Sequence, residues 1–412
     1  MTSGERRHLL RDRNFALYWV SNIARVLPAQ MIALAVGWQV YSVHHHPLDI
    51  GLVGLAEFLP FPLLALPAGH LADRISRRFV VLLALGVGLI DAVLLLVVTL
   101  TNPHRVWPFV ALGVLSGISL ALGTPSARAM APELVARRLV PEAMALRTIA
   151  NQIGIVLGPA LGGLLFAFRP SAAYAAAVLF YVAALACTAS IVIDRRPTAS
   201  AAPGVSHLLG GITFLRRSNL VLGVVLLDLF AVLFGGAVAL LPVFAQDVLH
   251  VGPFGLGVLR SAPALGALVG GALLARKPIT TQAGPRLLFV VAVFGLSMVV
   301  FGLSHWLLLS LLALAVSGAA DMASVNIRST TVALATPDDL RGRVNAVEMV
   351  FISASNQLGA FESGAAAALL GTIPAVVVGG VATIAIAGLW FRVFPSLGRL
   401  DRMDMLEPEA SA

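Results

Sequence analysis

The chain is short of charge, of cysteine and, above all, of lysine. Only 12% of its 412 residues are charged, against about a quarter in an ordinary soluble domain. An aqueous surface for a chain of this length is therefore excluded. A single cysteine, Cys187, allows no internal disulfide and no thiolate cluster for a metal. One lysine, Lys277, stands among 28 basic residues, and the rest are arginines. The net charge of +8 would suit a nucleic-acid partner if the arginines formed a patch. They recur instead in short clusters between long apolar runs, the distribution of a protein that crosses a membrane many times. No phosphate-binding glycine loop ending in Lys-Ser/Thr, no His-Glu-x-x-His and no Ser/His/Asp constellation is found. Neither an enzyme nor a bound cofactor or metal is expected.

What the chain has in abundance is hydrocarbon: 58% of residues are hydrophobic and the mean hydropathy is +0.92. Twelve runs are long enough to cross a bilayer as helices, which takes ~20 residues. They are residues 14–43, 50–72, 79–100, 106–131, 143–168, 171–193, 219–246, 253–275, 286–303, 306–333, 345–370 and 372–394, numbered here spans 1 to 12. The runs do not alternate polar with apolar, so a barrel is excluded. Arg6, Arg7, Arg11 and Arg13 precede the first run, which is too long for the core of a cleavable signal. If the amino terminus is inside, cytoplasmic segments hold 21 of the 28 basic residues and outer loops only Arg105 and Arg169. That bias predicts both termini in the cytoplasm.

Residues 194–218 form the longest polar break, with Pro197, Pro203 and Gly204. The break predicts a six-span bundle over 1–193, a cytoplasmic linker over 194–218, a second six-span bundle over 219–394 and a cytoplasmic tail over 395–412. The two halves are related. Asn151-Gln152-Ile153-Gly154 matches Asn356-Gln357-Leu358-Gly359 at an offset of 205, which Met144/Met349 and Asn14/Asn219 share. Gly54, Glu57 and Pro60 correspond to Gly257, Arg260 and Pro263 at an offset of 203. Like bundles in tandem are the pattern of a carrier with its site between the repeats.

Between spans 2 and 3 lies Gly69-His-Leu-Ala-Asp73-Arg74-Ile-Ser76-Arg77-Arg78. It resembles the signature loop of the major facilitator superfamily, with Ser76 where that family has glycine. The resemblance implies a cytoplasmic gate of Gly69, Asp73, Arg74, Arg77 and Arg78, joined by Arg128, with Asp73 facing the start of span 11 near Gly342–Asn345. In the second half Ala275 replaces the acid, so the latch would be one-sided. Span 5 carries Gly154-x3-Gly158-Pro159-x2-Gly162-Gly163. Glycines four apart bring backbones together and Pro159 removes a helical hydrogen bond. The stretch looks like the antiporter motif of proton-coupled exporters, although an ordinary packing face would read the same. Arg13-Asn14-Phe15, Trp38-Gln39 and Pro337-Asp-Asp-Leu-Arg-Gly-Arg343 are similar to the exporter branch that includes enterobactin and macrolide efflux proteins. The expected fold is all-α, with twelve membrane helices in two bundles.

Eleven ionisable residues fall inside spans: Arg25, Glu57, Asp91, Arg128, Arg147, Asp228, Arg260, Asp321, Arg328, Glu348 and Glu362. A lone charge near the bilayer centre costs at least ~2.5–3.5 kcal/mol, so each must pair, meet water or bind a proton. Arg128, Arg147, Arg328 and Glu348 lie near span ends and read as salt bridges or snorkelling side chains. In the family spans 1, 4, 7 and 10 line the cavity, which implies a substrate or proton site from Arg25, Asp228 and Asp321. An Arg–Asp pair holding the halves together plus a spare acid is the other reading. Glu57 and Glu362, on spans that pack together in the family, form a second candidate proton site through shared charge. The other reading is that each faces cavity water separately, or that Arg25 pairs with one of them. Asp91 suggests a buried hydrogen-bonding acid without a sharper role. His44-His45-His46 reads as a polar loop. Trp19, Trp38, Phe230 and Phe234 could line an amphiphile pocket or simply pack.

The function these features imply is secondary active export of a small amphiphilic molecule, siderophore or drug-like, by proton antiport with alternating access. Uptake or proton-independent carriage is the nearest alternative, and a non-transporting sensor or scaffold the alternative of another class. The expected partners are substrate, protons and lipid, with no nucleic acid, for a monomer in a bacterial inner membrane.

Overall fold

Each long apolar run has to satisfy its backbone internally in lipid, and local signals set where the resulting helices begin. The computed structural model describes residues 9–60, 63–64, 76–101, 103–192, 205–337 and 340–403. Span 1 is the helix Arg13–His44, started by the Asp12 carboxylate, which accepts from the Phe15 amide at 2.9 Å. It runs through Pro28 and ends where His45 turns left-handed at φ 51°. Span 3, Arg77–Leu100, is capped by Ser76, whose hydroxyl accepts from the Phe79 amide at 3.4 Å. Serine at the place of the family's glycine therefore has a definite task as a helix cap.

Span 4 is Trp107–Met130, span 5 Val140–Phe168 and span 6 Pro170–Ala189. Span 8 is Gly252–Arg276, span 9 Ala283–Leu303, span 10 Leu307–Ala335, span 11 Arg341–Leu370 and span 12 Thr372–Val393. Ten described helices are long and apolar enough to cross a membrane. Span 2 is described as the helix Pro47–Phe58, and most of the rest of its run lies outside the described residues. Span 11 is 30 residues long but diluted by polar residues such as Glu348, Asn356, Gln357 and Glu362. No strand occurs among the described residues.

The chain forms two compact units, each containing a short piece from the other half of the sequence. The first comprises residues within 1–45, 56–202 and 252–261; the second, residues within 46–55, 203–251 and 262–412. In the first unit, span 1 packs on spans 5 and 6, and span 3 on spans 4 and 6. Lipid offers no hydrophobic drive between helices, so close backbone approach supplies the cohesion. Gly154, Gly158 and Gly162 lay span 5 directly on span 1. A Cβ on Gly158 would stand 2.9 Å from the Leu27 carbonyl, and one on Gly162 2.9 Å from the Met31 Cα. The first turns of span 8 join this unit, with Gly257 against Pro159 and Ser261 donating to the Val156 carbonyl at 2.8 Å.

In the second unit, span 7 packs on spans 11 and 12, and span 9 on spans 10 and 12. Its core includes Val221, Val224, Leu287, Ile327, Val344 and Trp390, and the Trp390 indole donates to the Gly223 carbonyl at 2.9 Å. The first turns of span 2 lie here, Gly51 against Phe361 and Gly364, and Gly54 against Ala360.

Three features lie within span 7, the linker stretch and the residues after span 12. Span 7 is not one helix. It runs Asn219–Gly235, stops at Gly236, resumes as a 3-10 turn Ala237–Leu240 and finishes in a π-helical stretch Phe244–Val248. Two adjacent glycines supply no side chain to hold the helix there. Within 194–218, Val205–Arg217 is a helix that packs on span 11 through Gly210 and Gly211, against Arg343 and Val347. Residues 395–403 are a docked segment: Leu397 is fully buried, and the amides of Ala283 and Gly284 donate to the Asp401 and Leu400 carbonyls at 3.1 and 2.9 Å.

Candidate transport site

The second unit contains a buried ionic core. Asp228 lies on span 7 and Arg328 on span 10, and the two are ion-paired, with side chains 13% and 5% exposed. The charge of Glu348 on span 11 also acts on Arg328. Asp321 lies two turns before Arg328 on span 10 and is exposed. Of the three residues read as one site, Asp228 and Asp321 thus belong to this unit, where Arg328 is the cation beside Asp228. The pairing joins residues 100 positions apart, and nothing in the spacing announced it.

Arg25 belongs to the first unit, where its guanidinium donates to the Asn22 amide oxygen at 3.1 Å. Its Nε is buried without a partner among the described residues. Asn22 in turn donates to the Arg147 carbonyl at 3.4 Å, and the Tyr18 hydroxyl to the Ala127 carbonyl at 2.9 Å. A second polar group in this unit centres on Glu57, which is half-buried and acts electrostatically on both Asp91 and Arg260. Arg260 donates to the Ala33 carbonyl at 2.9 Å. Asp91, 2% exposed, accepts from the Ser116 hydroxyl at 2.5 Å. A hydrogen-bonding acid is what its sequence context suggested. The association of Glu57 with Arg260 was missed, although the two hold matched places at the offset of 203.

Glu362 is half-buried on span 11 of the second unit. It lines a small cavity with Phe234, Gly235, Ser363, Ala375 and Val376. Next to it, Ser363 donates to the Gly236 carbonyl at 3.3 Å, at the interruption of span 7.

Of the implied gate, Gly69, Asp73 and Arg74 lie outside the described residues. Arg77 bonds the Ala129 carbonyl at 2.7 Å and the Glu133 carboxylate at 3.1 Å. Arg78 donates to the Thr188 carbonyl at 3.1 Å and also to that of Ala189. These arginines cap the carbonyl ends of spans 4 and 6, where a cation complements the helix dipole. Arg128, in the last turn of span 4, is exposed. In the antiporter stretch Gly154, Gly158, Pro159, Gly162 and Gly163 are all buried. Trp19 donates to the Leu146 carbonyl at 2.9 Å, and Phe230 contacts Phe234 and Trp390, so these rings are packing partners within their units.

Helical spans in two units, with charged side chains set among them, make up a multi-pass membrane protein, and its family places it with transporters rather than enzymes. A family model for transmembrane secretion effectors matches residues 8–410, and the chain belongs to that family, within the major facilitator superfamily. It is similar to the enterobactin exporter EntS of Citrobacter koseri, 27% identical over 403 residues covering 96% of this chain and 94% of the relative. Against EntS of Escherichia coli O157:H7 the identity is 27%, covering 93% and 92%. Solved structures share the fold. The nucleoside transporter NupG has a TM-score of 0.73 at 13% identity, covering 93% of this chain and 100% of that one. A D-xylose–proton symporter has a TM-score of 0.73 at 13% identity, covering 94% and 99%.

Proposed function

We propose that the protein exports a small amphiphilic molecule, siderophore-like or drug-like, in exchange for protons. The observation that carries this reading is the buried Asp228–Arg328 pair. Two charges in an apolar interior gain little net stability over well-packed hydrocarbon, so their presence calls for a task. A proton taken up by Asp228 cancels its hold on Arg328 and leaves that cation to Glu348. A proton and a hydrogen-bond donor of the substrate then compete for one carboxylate, which is the differential affinity that exchange requires.

Export, rather than uptake, is favoured by the glycine-proline seam of span 5 and by the relatives, which are enterobactin exporters. Their cargo, enterobactin, makes siderophores, and those with an anionic group in particular, the first substrates to test here. Arg25, with its buried Nε unpartnered among the described residues, is the candidate cation for such a group in the first unit. The proposed setting is a bacterial inner membrane, with both termini cytoplasmic and the protein a monomer. Asp73 and its neighbouring arginines are proposed as the cytoplasmic gate.

The test uses inside-out vesicles containing the protein. An imposed proton gradient, acidic inside, is expected to drive siderophore accumulation, and Asp228→Asn to remove the gradient dependence while the protein remains folded. Accumulation without a gradient, or proton-independent counterflow alone, would replace exchange with facilitated carriage. Absence of flux across a broad panel would overturn the transport assignment for these substrates.

A further inference from the structure

The interruption of span 7 has no counterpart in the first half. At the offset of 205, Gly235 and Gly236 correspond to Gln30 and Met31, which lie within the continuous helix of span 1. On the facing helix, Leu157 and Gly158 correspond to Glu362 and Ser363. One seam is thus a glycine laid on an unbroken helix. The other has gained a carboxylate, a hydroxyl and a gap in the backbone, all in one unit.

A helix that stops leaves up to four terminal carbonyls without their in-helix donors, and the negative end of its dipole falls there. Here that end is Gly235, and the next carbonyl, Gly236, receives the Ser363 hydroxyl at 3.3 Å. Glu362, Ser363 and Gly235 line a cavity walled by Phe234, Ala375 and Val376. Its interior has room for about one water-sized guest. No other ionisable side chain lines it among the described residues. Glu362, Ser363 and the helix-end backbone at Gly235 thus set a carboxylate, a hydroxyl oxygen and peptide oxygen beside a space of that size, an all-oxygen set of the kind a hard cation takes. Interrupted membrane helices offer such carbonyl ends to coupling ions.

We propose that Glu362, Ser363 and the interrupted end of span 7 form a site for one small monovalent cation, sodium or hydronium. Glu362 supplies the charge, the carbonyls at Gly235–Gly236 supply neutral oxygens, and Ser363 holds the end of the break in place. The site is separate from the Asp228–Arg328 pair. Its part in coupling rests on the transport reading above, whereas its occupancy does not.

The experiment is equilibrium binding to the purified full-length protein, and it needs no flux. Radioactive sodium is bound at about pH 8, where a free carboxyl is ionised, with potassium as competitor. Infrared difference spectra between acidic and alkaline pH follow a protonated carboxyl band. On the sodium arm, saturable binding resists potassium. It weakens at least about tenfold in Glu362→Gln and about threefold to tenfold in Ser363→Ala, as loss of a charged ligand and of one hydrogen bond requires. On the hydronium arm, sodium does not bind, and a carboxyl band titrates in the wild type and vanishes in Glu362→Gln. Size-exclusion profiles and circular dichroism establish that both variants fold. Sodium binding unchanged in folded Glu362→Gln, or neither sodium binding nor a Glu362-dependent band, overturns the proposal and leaves the export reading standing.

Discussion

Spans 1 and 7 begin alike and end differently, and the helices that pack on them differ to match. Both start with a side-chain cap, Asp12 in one case and Ser218 in the other, and carry an asparagine in the first turn, Asn14 and Asn219. Span 1 then continues for 32 residues, while span 7 stops at Gly235. Gly154 packs against Val26 and Leu27 of span 1, and its counterpart Gly359 packs against Val232 and Leu233 of span 7. One turn further on, Gly158 meets the unbroken helix, whereas Ser363 bonds the loose end of the broken one. A duplicated seam has therefore kept its first contact and exchanged its second. In the first unit close packing runs along an unbroken helix. In the second, a hydrogen bond takes over where packing has been given up, and a carboxylate arrives with it.

The sharpest way to break this comparison is through the ionic groups of the two helices. Arg328→Met leaves Asp228 buried and alone, and the expected loss is about 3–5 kcal/mol by denaturant unfolding in detergent. Asp228→Asn combined with Arg328→Met is expected to recover most of that stability while exchange stays lost. In the first unit, Arg25→Met leaves only the neutral Asn22 amide behind, and about 1–2 kcal/mol is expected. Equal losses at the two positions would mean that Asn22 is not the principal partner of Arg25.

Next come the seams themselves. Gly162→Ala drives a methyl group to 2.9 Å from the Met31 backbone, for an overpacking cost of about 1–3 kcal/mol. Gly359→Ala meets the Val232 carbonyl at 3.2 Å, so its thermal shift is expected to be smaller. Ser363→Gly, which restores the residue of the first half, is expected to cost about 1 kcal/mol for one hydrogen bond. Smallest is Arg77→Ala, where a partly exposed ion pair is worth under about 1 kcal/mol. Its melting temperature should scarcely move.

The spans were legible because lipid forces long uninterrupted apolar runs, and those runs leave no other reading of the backbone. The glycine face of span 5 was legible for a related reason: spacing by four is a property of the helix surface alone. The Asp228–Arg328 pair was not, since it depends on the rotation and depth of spans 7 and 10, which composition does not carry. The Gly235-Gly236 pair was visible but sits in a run of high hydropathy, and glycine is common in membrane helices, so the run read as one helix. Residues 395–403 read as a tail because they follow the last apolar run. Leu397, Leu400 and Met403, all buried, are spaced to place one apolar edge against the start of span 9.

That last segment has a practical consequence for anyone handling the protein. Residues beyond span 12 act as a clasp on the beginning of span 9, through Leu400 and Asp401 to the first amides of the helix. A deletion or fusion made just after Val393 would undo the clasp and unravel the base of the unit. Reporters and affinity handles at the carboxyl end belong after Met403, where they leave the fastening intact.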